Sequence, residues 1–176
     1  MQKGYTLTEL IIVCAIASLL MFGSSAPSNI SNAIKSYTEP RILIEKIFAA
    51  RFLAIQGNHH VILCPLSDNS ICSRDWNRTL FMFIDENNNK KLDENEQVID
   101  QISPYPISGR KVYYPRTMIR FTPMGMINGY TGTLSYCTDF NHKGIIISRV
   151  GRVRFAQDLN GDGIPDKNRN EEVPCR

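Results

Sequence analysis

The sequence predicts an α+β protein in which a long N-terminal helix packs on antiparallel β-sheet or sheets. Two observations carry this. The chain opens with an apolar run, and helical periodicity continues beyond it: Ile44, Phe48, Phe52 and Ile55 recur at i, i+4, i+8 and i+11 before Gly57. After Gly57 the pattern changes to short β-rich runs, HHVILCPL, TLFMFID, EQVIDQIS, KVYYP, MIRFTP, GTLSYC, GIIIS and RVRFA, punctuated by Gly, Pro, Asn and Asp. Helix first and strands afterwards is the order of an α+β layer, not of a parallel α/β fold.

With 176 residues, 43% of them hydrophobic, the chain can bury one ordinary core. The expected organisation is a leader at 1–4, a helix at 5–57, and a β-rich head at 58–176. The helix divides into a membrane or filament half at 5–27 and a head-packing half at 28–57. Pro27 is expected to kink the helix, and Pro40 is a second candidate, since proline removes an N–H and crowds the preceding turn.

The net charge of +3 excludes a generally basic, nucleic-acid-coating protein. Its distribution is uneven. From Gly109 to Arg154 eight basic residues face Asp139 alone, a net +7, whereas Asp85 to Asp100 carries a net −4. The basic stretch ends in IIISRVGRVRFA. There Gly151 permits a tight turn, Arg149 and Arg152 are expected at its tip, and Arg152 and Arg154, two apart on a strand, share one face. Guanidinium forks match phosphate oxygens, so this row with Lys143 is a candidate DNA contact. The competing reading is a solvated strand edge whose charges discourage aggregation or pair with the acidic loops.

Four cysteines lie outside the apolar run that holds Cys14. Their spacing favours Cys64 with Cys72 and Cys137 with Cys175 among three possible pairings. Zinc is disfavoured, because no pair has the spacing of a zinc knuckle and His59, His60 and His142 are scattered. Two acidic loops are candidates for calcium. DENNNKKLDENE sets Asp85, Asn87, Asn89, Asp93 and Glu96 at EF-hand spacing, with Lys90 where the turn glycine belongs; DLNGDGIPD offers Asp158, Asn160, Asp162 and Asp166. Plain Asx-turn connectors are the alternative. Motifs for a nucleophile elbow, a P-loop or a metal hydrolase are missing, so no enzyme is expected.

The first residues add a resemblance. Gly4-Tyr5-Thr6-Leu7-Thr8-Glu9-Leu10 followed by apolar residues is similar to the signal of type IV prepilins and type II secretion pseudopilins. The resemblance implies cleavage after Gly4 by a prepilin peptidase and N-methylation of Tyr5. It also implies that Glu9 neutralises a neighbouring subunit's N-terminal amine. Two opposite charges entering an apolar bundle together offset one another's desolvation. Further along, Ala49-Ala50-Arg51, Val61 to Pro65, Trp76, Phe81 to Asp85, Phe121 to Gly125, Gly132 to Cys137 and Gly151 to Arg154 resemble the GspH/FimT family of minor pilins nearly end to end. The implied fold is that of type IV pilins. The implied location is the inner membrane with a periplasmic head, then the pilus, in company with other major and minor pilins. The family spans two roles: a FimT-like one, in which a Gly-Arg-x-Arg element holds double-stranded DNA for uptake in natural transformation, and a GspH- or FimU-like one, in which the subunit primes or tips a pilus or a type II secretion pseudopilus without binding DNA.

Overall fold

A computed structural model describes residues 6–23 and 28–175. Gly4, Tyr5 and Pro27 lie outside the described residues. Helix α1 spans Leu7–Gly23 and α2 spans Ser28–Gly57. Among the described residues no helix is long and apolar enough to cross a membrane. Helix α1 begins with a capping box. The Thr6 N–H donates to Glu9 Oε2 at 3.0 Å, and the Glu9 N–H donates back to Thr6 Oγ1 at 3.4 Å.

Among the described residues ten strands follow: β1 His60–Pro65, β2 Leu80–Asp85, β3 Val98–Ile102, β4 Lys111–Tyr113, β5 Ile119–Phe121, β6 Gly132–Cys137, β7 His142–Ile147, β8 Val153–Phe155, β9 Asp166–Asn168 and β10 Glu171–Glu172. They form one four-stranded sheet in the order β3-β2-β1-β5, a second in the order β4-β6-β7-β8, and the small pair β10-β9. All the pairings are antiparallel.

The core is shared by α2 and both large sheets. Leu43, Ile47, Ala50 and Ala54 of α2 meet Val61 and Leu63 of β1, Phe121 of β5, and Tyr136, Ile145 and Val153 of the second sheet. This corrects the helix face read from the sequence. Ile44 is buried, but Phe48, Phe52 and Ile55 are 45%, 62% and 50% exposed. The face that packs places two alanines at the contact, which lets the helix axis approach the sheets closely; the aromatic stripe is left outside. Strand β1 is buried on both faces, because Ile62 and Cys64 enter a second cluster with Cys72, Phe83 and Met118. Gly57 is the last helical residue, and Asn58 takes the left-handed conformation (φ 53°) while the His59 N–H reaches the Ala54 C=O at 3.2 Å, a Schellman closure.

Helix α2 continues through Pro40. Proline has no N–H for the carbonyl four residues back, here that of Ser36. Asn141 supplies the missing donor: its Nδ2 reaches the Ser36 carbonyl at 2.8 Å, in a buried setting. Asn141→Leu should therefore cost about 1–3 kcal/mol of unfolding free energy, the penalty of an orphaned buried carbonyl. Urea denaturation of this variant beside one that also carries Pro40→Ala checks the cause, since restoring the N–H should recover part of the loss.

Cys64–Cys72 and Cys137–Cys175 are disulfide-bonded, with Cα separations of 5.6 and 5.9 Å. The first ties β1 to the following loop, and the second fastens the C-terminal tail to β6. Trp76 is fully buried, donates Nε1–H to the Arg116 carbonyl at 2.8 Å, and meets Tyr114 edge-on at 5.1 Å.

Two histidines make the head pH-sensitive. Burial holds His60 and His142 below the ordinary imidazole range, and the nearby Arg120 guanidinium adds to the effect at His60. One nitrogen of each, His60 Nδ1 and His142 Nε2, is buried without a hydrogen-bond partner. With depressed pKa values in the fold, the unfolded chain binds more protons once pH falls below about 6.5. Stability should be full above that pH and decline below it. Thermal melts across pH 8 to 5 should show the decline, and it should shrink in His60→Gln and His142→Gln.

Candidate nucleic-acid interface

The arginine turn closes the β7–β8 hairpin. The Gly151 N–H donates to the Ser148 C=O at 3.0 Å, and the Ser148 N–H donates to the Arg152 C=O at 3.0 Å. Gly151 has φ 74°, so Arg149 and Val150 hold the two central positions of a turn that ends in a glycine bulge. Arg149 is therefore at the tip with Val150, and Arg152 lies just past the glycine. Val153 is buried and Phe155 packs on the core, which sends Arg152 and Arg154 to the exposed face of an edge strand.

The same turn is built twice. In Thr122-Pro123-Met124-Gly125, the Gly125 N–H donates to the Thr122 C=O at 2.8 Å, and the Thr122 N–H to the Met126 C=O at 2.9 Å. The position-one hydroxyls act alike: the Met126 N–H meets Thr122 Oγ1, and the Arg152 N–H meets Ser148 Oγ. The glycines have similar positive φ, 70° and 74°. The two turns abut so closely that a Cβ on Gly151 would sit 1.9 Å from the Gly125 carbonyl oxygen. Arg51 of α2 joins them, donating Nε–H to the Gly125 carbonyl at 3.0 Å and Nη2–H to the Val150 carbonyl at 3.4 Å. The arginine turn is thus anchored to the helix and to β5, not free. Sequence reading missed Arg51 as its anchor, although the repeated hydroxyl-x-x-Gly spacing at 122–125 and 148–151 was there to find.

The basic stretch does not act as one patch. Arg110 is spent on Glu39, with Nη2 at 2.7 Å, and Arg120 on Asp85, with Nε at 3.4 Å; all four side chains are buried. Lys143 is exposed but belongs to the register face of β7 that carries Ile145 and Ile147, and it borders Tyr37, Pro40 and Arg41 of α2. Arg154 pairs with Ile146 and lies on the opposite face, so the structure does not group Lys143 with Arg152 and Arg154. Among the described residues, Arg149, Arg152 and Arg154 have no carboxylate within 4.0 Å, the span that defines the five ion pairs found elsewhere.

The acidic loops are tied up within themselves. Asp85 is fully buried and engaged by Arg120, whose Nη2 also contacts Asn88, so a resident guanidinium stands beside the first carboxylate of the loop. The rest of the loop is linked side chain to backbone. Asn87 and Asn89 both donate to Asp93 at 2.6 Å, and Glu96 accepts the Glu86 and Asp93 N–H groups. Burial and the Arg120 contact set Asp85 apart from the other residues of the EF-hand-spaced set. In the second loop Asp158 accepts the Gly163 and Gly161 N–H groups, which hold its carboxyl below the usual range. Asn160 and Asp162 form Asx turns, and Asp166 is buried on the Leu159 N–H at 2.7 Å. These are the contacts of Asx-turn connectors. One cluster of potential metal ligands occurs among the described residues, Cys137, His142 and Cys175, and its two sulfurs are joined in a disulfide.

The family model for the type II transport protein GspH matches residues 43–151, well over half the chain. The chain belongs to the GspH family. A model of the prokaryotic N-terminal methylation motif matches residues 1–25, over the segment that holds Gly4, Tyr5 and Glu9. Among solved structures, this GspH-family chain resembles the type IV minor pilin FimU of Pseudomonas aeruginosa strain PAO1 at 17% identity, with TM-score 0.52 over 73% of this chain and 91% of that one. A second crystal form of FimU gives 16% identity and TM-score 0.49 over 71% and 90%. No curated protein gives a match. The α+β fold of this GspH-family chain is thereby the type IV pilin fold.

Proposed function

We propose that this minor pilin binds extracellular double-stranded DNA without sequence preference and serves DNA uptake in natural transformation. Processing after Gly4 by a prepilin peptidase, methylation of Tyr5 and pairing of Glu9 with a neighbouring subunit's amine would carry it from the inner membrane into a type IV pilus. The observation that carries the DNA reading is the set of three exposed arginines on the anchored hairpin, left without carboxylate partners while Arg110 and Arg120 are neutralised in the interior. Guanidiniums held this way, with their backbone fixed in advance, displace counterions from a phosphate backbone at little ordering cost.

The test is fluorescence anisotropy of the full chain in detergent with a labelled duplex at several salt concentrations. Three phosphate contacts predict that log K falls with log salt at a slope of about −2.7. The Arg149, Arg152 and Arg154 to Gln triple variant should lose that slope and most of the affinity at low salt. A parent protein that fails to bind duplex at low salt overturns the reading.

A structural role as a priming or tip subunit of a pilus or type II secretion pseudopilus is the second reading. Its support is two exposed apolar patches on α2, Ile30, Ile34 and Tyr37 before the exposed Arg41 and Glu45, and Phe48, Phe52 and Ile55 after them, which offer other pilins apolar surface. Co-purification with fellow pilins in the absence of DNA affinity would favour it.

A further inference from the structure

Beside the arginine row lies a cavity of about 610 Å³ lined by Arg152, Arg154, Phe155, Gln157, Leu159 and Lys167, with the buried Asp166 at its wall. This open furrow shares Lys167 with a second depression of about 350 Å³ bordered by Thr133, Pro115 and Tyr113. The lining is mixed in a particular way. Three cations stand at the rim, Asp166 is occupied by the Leu159 N–H, and Lys167 is paired with Glu171. Between them, Leu159 is 53% exposed, an apolar surface that phosphate contact alone does not use. Gln157 adds an exposed side-chain amide, which can both donate to and accept from the edge of a base.

We infer that this furrow holds an unpaired stretch of a DNA strand, with phosphates on Arg152 and Arg154 and a base against Leu159 and the Gln157 amide. The inference rests on the DNA reading above and narrows it from duplex in general to duplex with frayed or single-stranded ends. Bases in an intact duplex are stacked and paired, so a duplex touches only the arginine rim. A single strand can splay a base into the cavity. A cationic track beside side chains that can touch an unstacked base is the general arrangement of single-strand binding.

The experiment compares a fluorescein-labelled 15-nucleotide poly-dT strand with a 15-base-pair duplex on the full chain in detergent, at one salt concentration. The probe for the furrow is the double variant Gln157→Ala and Leu159→Ser, which keeps the charge and alters only exposed side chains. The parent should bind the single strand about tenfold more tightly than the duplex, the gain of roughly one base contact. The double variant should lose that preference and keep its duplex affinity. Equal affinities in the parent, or a variant that leaves the preference intact or weakens both ligands alike, overturn the furrow while the DNA reading stands. Binding of neither ligand overturns both.

Discussion

Glu39→Ala should lower the unfolding free energy by about 3–5 kcal/mol, the cost of stripping one partner from a buried ion pair. Glu39 lies on α2 with its side chain 3% exposed, and it accepts from Arg110 Nε at 2.9 and 3.1 Å, from Arg110 Nη2 at 2.7 Å, and from the Tyr136 hydroxyl at 2.8 Å. One carboxylate therefore joins the helix, the segment before β4, and the middle of β6. Its removal leaves a guanidinium that is itself only 9% exposed without its counter-charge, and a buried hydroxyl without an acceptor. The hydroxyl cannot escape by ionising, because burial, the main cause of the raised Tyr136 pKa, persists when Glu39 is gone. Against a total stability of about 5–15 kcal/mol for a domain, this is a large share. Urea unfolding followed by circular dichroism should show a lower midpoint at unchanged slope. The double variant Glu39→Leu, Arg110→Met should recover much of the loss, because it removes both charges together and leaves neither buried alone. If Glu39→Ala unfolds within 1 kcal/mol of the parent, the pair does not hold helix to sheet.

These two buried pairs show where sequence reading reaches its limit. The β-rich runs were legible because alternation and β-branched content are local, and β1 to β8 each fall on one of them. The hairpin of β9 and β10 was not, since DKN and EE carry no apolar period. The face of α2 that packs was mis-phased. A stripe of large residues is easier to see than Leu43, Ile47, Ala50 and Ala54, yet the alanines are what bring the helix close. The partners Glu39–Arg110 and Asp85–Arg120 are 71 and 35 residues apart, so nothing in local pattern could link them. That is also why the +7 stretch overstated the basic surface. The arginine turn itself was legible in its glycine and its i, i+2 arginines. Its anchoring by Arg51 was not.

The second large effect concerns that anchoring. Gly151→Ala is expected to impair both stability and duplex binding even though it removes no charge. At φ 74° an L-residue with a Cβ is strained, at about 1 kcal/mol or more. Here the Cβ would also fall 1.9 Å from the Gly125 carbonyl oxygen and 2.8 Å from Arg51 Nε. Backbone cannot yield as a flexible side chain would, so the two turns must part and Arg51 must give up one or both of its carbonyls. A total cost of about 2–4 kcal/mol combines the strain with the lost hydrogen bonds to a charged donor. Arg149 and Arg152 flank the glycine, so their spacing to a phosphate backbone changes with the turn, and duplex affinity should drop several-fold at low salt. Arg51→Ala supplies the comparison. It leaves Gly151 unstrained but frees the turn from α2, so it should raise the ordering cost of binding while costing less in the melt than Gly151→Ala. Glycine's role in the turn would then be the close approach to the neighbouring turn as much as the backbone angle. A Gly151→Ala protein with parental melting temperature and parental duplex affinity would show instead that the twin turns are incidental, and that three arginines on any loose hairpin would bind as well.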